Sequence, residues 1–332
     1  ATGPATSEFP RGLLRKMQAA GVIRIFFVCC CIARLAHADP LAIRAVAANL
    51  TSGNKQSYSP DNGNHSNPEG AGARILTALK PDVVMIQEFN IVGSPRAWVN
   101  KTLGKNFDFV QEEGAQIPNG IISRYPFITT SNWVDTLVGN RSFAWAQIDL
   151  PGTNDLYIVS VHFLTTSSAN RTAEANNLKA LMQASFPPNA WIVVAGDFNA
   201  GNRSETCVTT WNGYLTDTPV PVDNNGVSGT SANRSAPHDY VLPSLTFTNF
   251  ETATVFPSLH YPNGLVFDSR VYNATPLANN FSPVPSAAPV LPQHMPVVQH
   301  FSIPPPPAPN RPALTANPTA QTTARRLILS FA

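Results

Sequence analysis

Trp191-Ile-Val-Val-Ala-Gly-Asp-Phe-Asn-Ala200 is the stretch on which the fold class turns. The apolar run Trp191 to Ala195 reads as a buried strand, and it runs straight into Asp197 and Asn199. Residues two apart in an extended chain point the same way, so both side chains are expected to face one ligand. Three other apolar runs end alike: Leu41 to Ala48 delivers Asn49, Val83 to Ile86 delivers Glu88, and Leu156 to Val161 delivers His162. Further strands are expected over Gly120 to Ser123, Phe143 to Leu150 and Val297 to Ile303. Helical spacing over Glu69 to Leu79 stops before Pro81, and over Ala169 to Phe186 it stops before Pro187-Pro188. Strands alternating with helices make residues 39 to 303 one α/β domain. Ser52 to Pro68 has no periodicity and is expected to be a loop.

A single acid after a buried strand is ordinarily a turn former or a helix cap. Four such endings favour one shared site, because the ends of rigid strands are where α/β folds gather their chemistry. Other chemistries lack their signatures. There is no Gly-x-Ser-x-Gly elbow, no Walker loop and no His-Glu-x-x-His. His294 and His300 on one strand would sit ~20 Å apart, too far to share an ion. The glycine-rich Gly226-Val-Ser-Gly-Thr-Ser231 lacks the strand and helix that a phosphate loop needs, so it reads as a flexible loop.

Composition narrows the setting. With 22 basic and 20 acidic side chains the net charge is +2, which excludes a protein that coats nucleic acid by charge alone. Residues 1–38 hold five of the cations and one acid, leaving 17 basic and 19 acidic side chains beyond them. Met17 to Ala38 has basic residues, a short apolar run from Ile25 to Ala33 and then Ala36-His37-Ala38, the layout of a cleaved signal peptide. The run is far below the ~20 residues a membrane span requires. Export to periplasm, medium or cell surface is therefore expected, with no stable span. Cys29, Cys30 and Cys31 leave with the leader, so Cys207 stands alone without an intrachain disulfide or thiolate zinc site. Residues 304–324 have the polar, proline-rich composition of a linker. Residue 1 is Ala, Met17 is a natural start, and residues 325–332 alternate like the opening of a strand, so the chain is expected to be part of a longer reading frame.

Seven blocks, in order, resemble the endonuclease/exonuclease/phosphatase superfamily: Ala48-Asn49-Leu50, Val84 to Glu88, Asn119 to Pro126, Ser160-Val161-His162, Gly196 to Ala200, Asp239 to Leu242 and His294 to Val298. The resemblance implies a four-layered α/β sandwich of two mixed sheets flanked by helices, and hydrolysis of phosphoesters with Mg2+ (or Mn2+). By motif position it makes Glu88 the principal metal ligand with Asn49 beside it, which suits a hard cation. Asp197 would orient or deprotonate the attacking water, and Asn199 would hold that water or a phosphate oxygen. His294 would hydrogen-bond the phosphoryl oxygens, with Asp239 fixing its tautomer and favouring its cation. His162 would contact phosphate or protonate the leaving oxygen.

One position departs from the family pattern. Pro292-Gln293-His294 stands where Ser-Asp-His is usual, so Gln293 brings a neutral amide to the metal's surroundings and the site loses a negative charge. The implied activity is an exported, monomeric phosphodiesterase. Nucleic acid, DNA or RNA, is the favoured substrate, with Arg124 a candidate substrate contact and Arg141, Arg171, Arg203 and Arg234 in nearby loops. Two alternatives stay open: a lipid or inositol phosphoesterase docking through Phe247, Phe250 and Phe256, or an exported binding module without catalysis.

Overall fold

The computed structural model describes residues 39–49, 71–91, 93–152, 154–268, 271 and 294–305. The expected leader, the loop from Ser52 to Pro68, Gln293, most of the linker and the terminal segment 325–332 lie outside them. In chain order the elements are β1 (Leu41–Ala48), α1 (Ala71–Leu79), β2 (Val83–Ile86), α2 (Pro95–Thr102), β3 (Asp108–Gln111), β4 (Gly120–Ser123), β5 (Phe127–Trp133), β6 (Phe143–Ile148) and β7 (Leu156–His162). They continue with α3 (Ser168–Ser185), β8 (Trp191–Asp197), the short α4 (Thr206–Thr209), β9 (Asp239–Pro243), β10 (Glu251–Thr252), β11 (Thr254–Phe256), β12 (Leu259–Tyr261), β13 (Leu265–Val266) and β14 (Val297–Ile303).

These strands build two large mixed sheets and a separate two-stranded pair, β11-β12. One is seven-stranded, ordered β10-β14-β1-β2-β4-β3 with β13 also on β14, and the other is five-stranded, β5-β6-β7-β8-β9. Strand alternation explains how they stack. On β1, Ile43, Ala45 and Ala47 face the second sheet and meet Ala146, Ile158, Val193, Ala195 and Val241, while Val46 and Ala48 turn outward onto Ile75, Leu76 and Leu79 of α1. On β8, Ile192 and Val194 turn outward onto Leu178 and Met182 of α3. Each large aliphatic side chain so buried stabilises the fold by about 1.5–3 kcal/mol. The result is the α/β sandwich expected, helix, sheet, sheet, helix.

Local chemistry sets the helix ends. Ser94 caps α2 by accepting from Ala97 N, and Pro95 occupies the first turn, where it costs no hydrogen bond. Ser167 caps α3 by accepting from Asn170 N, and Pro187-Pro188 follows its last turn.

Strand direction then gathers the polar endings. β1 and β2 are parallel, as are β7 and β8, so Asn49, Glu88, His162 and Asp197 all leave at the same end of their sheets. The antiparallel strands begin there: Asp239 opens β9 opposite Asp197, and His294 precedes β14, which is antiparallel to β1.

Candidate active site

Asp197 lies at the centre. Asn49 Nδ2 donates to its Oδ2 at 3.0 Å, and His162 Nε2 and His294 Nε2 lie 3.4 and 3.5 Å from the same oxygen. Asn199 N donates to Oδ1 at 2.7 Å. Asn49 Nδ2 also reaches Glu88 Oε1 at 3.4 Å, which ties the two sheets' contributions together. His294 Nδ1 is 2.9 Å from Asp239 Oδ2. The structure thus brings together Asn49, Glu88, His162, Asp197, Asp239 and His294, while Asn199 joins through its backbone N and its side-chain Nδ2 donates instead to Phe163 O at 2.9 Å.

Backbone geometry aims these groups. Glu88 and Asn199 both adopt the left-handed region, at φ 49° and 47°, which bends the chain sharply at the ends of β2 and β8. Gly196 has φ 139°, and a Cβ there would stand 2.1 Å from Val161 O. Only glycine lets β7 and β8 approach closely enough to set His162 beside Asp197. Beneath the cluster Gln87 Nε2 donates to Ser160 Oγ at 2.9 Å and Ser160 Oγ donates to Ile86 O at 3.2 Å, a polar cross-tie between sheets.

The two histidines are driven apart electrostatically. Burial disfavours the charged form of both. At His162 burial wins over the attraction of Asp197, with Arg141 and His294 opposing charge as well, and its pKa falls to about 3. At His294 burial is outweighed by Asp239 and Asp197, and the pKa rises to about 10. Burial works against the charge of Asp197 too, yet His294, His162 and His238 and the Asn199 N–H hold its carboxyl below the usual range. Burial raises Glu88, against the hydrogen bond from Asn49. Near neutral pH the site holds a neutral His162, a cationic His294 and an anionic Asp197. A neutral His162 has no spare proton for a leaving oxygen; its Nε2–H, assigned from this contact, points to Asp197.

A divalent cation fits the oxygen side of the cluster. Asn49 is 1% exposed and its Oδ1 has no hydrogen-bond partner among the described residues, although its amide nitrogen donates to Asp197 and Glu88. A buried acceptor without a donor, beside a carboxylate raised by burial, suits a hard cation. Ligand atoms of Asp197, Asp239 and His294 also fall within 4.8 Å of one another. Asp239 Oδ2 and His294 Nδ1 already pair with each other there, whereas Asn49 and Glu88 offer two oxygen ligands side by side, the donor type a hard cation prefers.

Arg124 does not join the site. β4 runs antiparallel to β2, pairing Ser123 with Val83, and so carries Arg124 to the opposite rim, where Nη1 donates to Asp82 Oδ1 at 2.7 Å. Adjacency to the Asn119 to Pro126 block had suggested otherwise; strand direction decides. The other loop arginines are engaged as well. Arg171 pairs with Glu205 at 2.6 Å, Arg203 with Asp217 at 2.6 Å, and Arg234 with Asp223 and Asp268 at 3.0 and 2.8 Å. Arg141 is buried below the site and donates to the carbonyls of His162 and Phe163. Phe247 and Phe256 are core residues, and Phe250 packs at 4.8 Å on Trp191, so the suggested apolar docking patch is absent among the described residues.

The fold is the α/β sandwich of a phosphoesterase family. The chain belongs to the endonuclease/exonuclease/phosphatase family, whose model matches residues 62–314. Solved structures agree in fold. An endonuclease/exonuclease/phosphatase from Beutenbergia cavernae is similar at 18% identity over 79% of this chain and 72% of that one, with a TM-score of 0.51. Truncated Caenorhabditis elegans TDP2 is similar at 13% identity over 79% and 98%, with a TM-score of 0.55. The family's Bacteroides vulgatus structure gives 14% over 79% and 99%, with a TM-score of 0.53. No curated protein sequence matches the chain. No helix among the described residues is long and apolar enough to cross a membrane.

Proposed function

We propose that the chain is an exported phosphodiesterase that requires a divalent metal, with residues 1–38 as its leader, 39–303 as its catalytic domain and 304–324 as a linker. The observation that carries the reading is the single oxygen Asp197 Oδ2, which lies within 3.5 Å of Asn49, His162 and His294. Glu88 and Asn49 would hold Mg2+ or Mn2+. When bound, the ion would neutralise phosphoryl charge and polarise the phosphorus–oxygen bonds.

The chain's own groups supply the rest. Asp197, anionic and held by three partners, orients a water and accepts its proton, and Asn199 keeps that water in line. Cationic His294, steadied by Asp239, donates to a phosphoryl oxygen as charge builds there. Neutral His162 holds the Asp197 carboxylate in place. Nucleic acid remains the first substrate to try. Because Arg124, Arg171, Arg203 and Arg234 are already paired, substrate binding should depend on the reacting phosphate more than on long backbone contacts, and a shallow salt dependence is expected.

The test is turnover of DNA, RNA, bis-p-nitrophenyl phosphate and sphingomyelin by the purified chain with Mg2+ or Mn2+ and with EDTA. Metal-dependent cleavage of any one supports the enzyme and names its substrate class. Turnover of none would leave a binding module. N-terminal sequencing of the secreted form, expected to begin near Asp39, tests export.

A further inference from the structure

The glycine-rich loop that resembled a flexible connector is locked. Arg234, between Asp223 and Asp268, also donates through Nε to Gly229 O at 2.7 Å and through Nη2 to Val227 O at 3.1 Å. A Cβ on Gly229 would stand 2.0 Å from Arg234 O, so the loop closes on itself too tightly for any other residue. At its centre Thr230 is fully buried. Thr230 N donates to Ala236 O at 2.8 Å, its Oγ1 accepts from Asp239 N at 2.8 Å, and its carbonyl accepts from Met295 N at 2.7 Å. Ser231 forms an isolated antiparallel bridge to His294.

Those contacts fall on either side of the His294–Asp239 hydrogen bond. Asp239 opens β9 in the five-stranded sheet, and His294 precedes β14 in the seven-stranded one, 55 residues further on. Among the described residues no strand ladder joins the two sheets, so beyond core packing the separation of this pair depends on the hydrogen bonds that span the gap. We propose that Thr230 is a positioning residue for the His294–Asp239 pair, its hydroxyl holding the Asp239 backbone and its carbonyl holding the backbone just after His294. The role in turnover rests on the phosphodiesterase reading above; the role in geometry does not. Thr230 itself touches no reacting atom.

The hydroxyl can be removed while shape is kept. Thr230→Val deletes the acceptor for Asp239 N, and Thr230→Ser restores it. With the full chain and bis-p-nitrophenyl phosphate, Thr230→Val is expected to lower kcat roughly tenfold with KM unchanged. Thr230→Ser should return kcat to near the wild-type value. A second readout needs no turnover: the Nδ1 proton shared by His294 and Asp239 should give a downfield proton resonance that His294→Gln removes. That resonance should shift or vanish in Thr230→Val and persist in Thr230→Ser. Thr230→Ala takes the place of Thr230→Val if the latter does not fold. Wild-type kcat and an unmoved resonance in a folded Thr230→Val overturn the proposal. Equal damage in Thr230→Ser, or no downfield resonance in the wild type, also overturns it. If the wild type turns over no phosphoester, the phosphodiesterase reading fails and the resonance alone decides.

Discussion

Two histidines lie six residues apart, His294 buried just before β14 and His300 half-buried within it, and the fold gives them opposite charge. At the site end, the carboxylates of Asp239 and Asp197 overcome burial and hold His294 cationic, its pKa about 10. At the other end His300 faces Arg44 across the β1–β14 pair, and burial together with that guanidinium drives it down to about 4. The partners differ in a second way. Arg44 donates to His300, to Leu79 O and to Val255 O, and Asp82 accepts from both Arg44 N and Arg124. At that end the charged groups satisfy one another. At the site end Asn49 Oδ1, His162 Nδ1 and Asp239 Oδ1 have no partner among the described residues. Burial and charge alone therefore do not mark a site; the convergence of Asn49, His162 and His294 on one carboxylate oxygen of Asp197 does.

The strongest way to break this contrast is kinetic. His294→Gln should lower kcat by about 10²–10³, the range for losing a donor to developing charge, with the circular dichroism spectrum unchanged. His300→Gln should leave kcat near wild type. Equal losses in the two variants would mean that the ends do not differ in function.

The pH dependence of stability sharpens it. His300 titrates below its ordinary 6.5 in the folded state, so its contribution is complete above pH 6.5 and is lost as pH falls toward about 4. His162, at about 3, adds to the same acid limb. His294 titrates above 6.5, so its contribution is complete below pH 6.5 and is lost as pH rises toward about 10. Melting temperatures across that range should fall on both sides. His300→Gln should soften the acid limb alone, whereas His294→Gln should remove the alkaline limb and, by releasing Asp197, also shift the acid one. An alkaline limb that His294→Gln leaves untouched would show that the carboxylates do not hold an imidazolium.

The smallest effect belongs to Arg124. Its side chain is 49% exposed and paired with Asp82, so Arg124→Ala should cost about 0–1 kcal/mol in denaturant unfolding and change neither kcat nor KM. A raised KM would return Arg124 to the substrate.

What the sequence made legible follows from what each residue does. β1, β2, β4 and β14 stand where their apolar runs lie, because continuous burial leaves a continuous signal. β5, Phe-Ile-Thr-Thr-Ser-Asn-Trp, escaped notice as a mostly exposed edge strand without apolar alternation. α2 is a single short helix whose strongest signal is its Ser94-Pro95 cap. In the candidate site, Asn49, Glu88, His162 and Asp197, which follow or end buried strands, were readable from position and type. Thr230 and Arg141 were not, since Thr230 works through backbone hydrogen bonds and Arg141 grips two carbonyl oxygens, and neither task leaves a pattern in neighbouring residues. Arg124 was misplaced because a linear motif carries no strand direction.

The pairing of β1 with β14 has a consequence for assembly. The first described strand hydrogen-bonds the last along its whole length, with Arg44 and His300 256 residues apart at one rung. Closing so long a loop is slow relative to local structure, and a chain growing from its N-terminus cannot seat β1 between its two neighbours until residue 303 has emerged. His294 arrives with that same strand. Every nascent chain that stops before residue 294 lacks the imidazole opposite Asp197, so the cluster is among the last features of the fold to be completed.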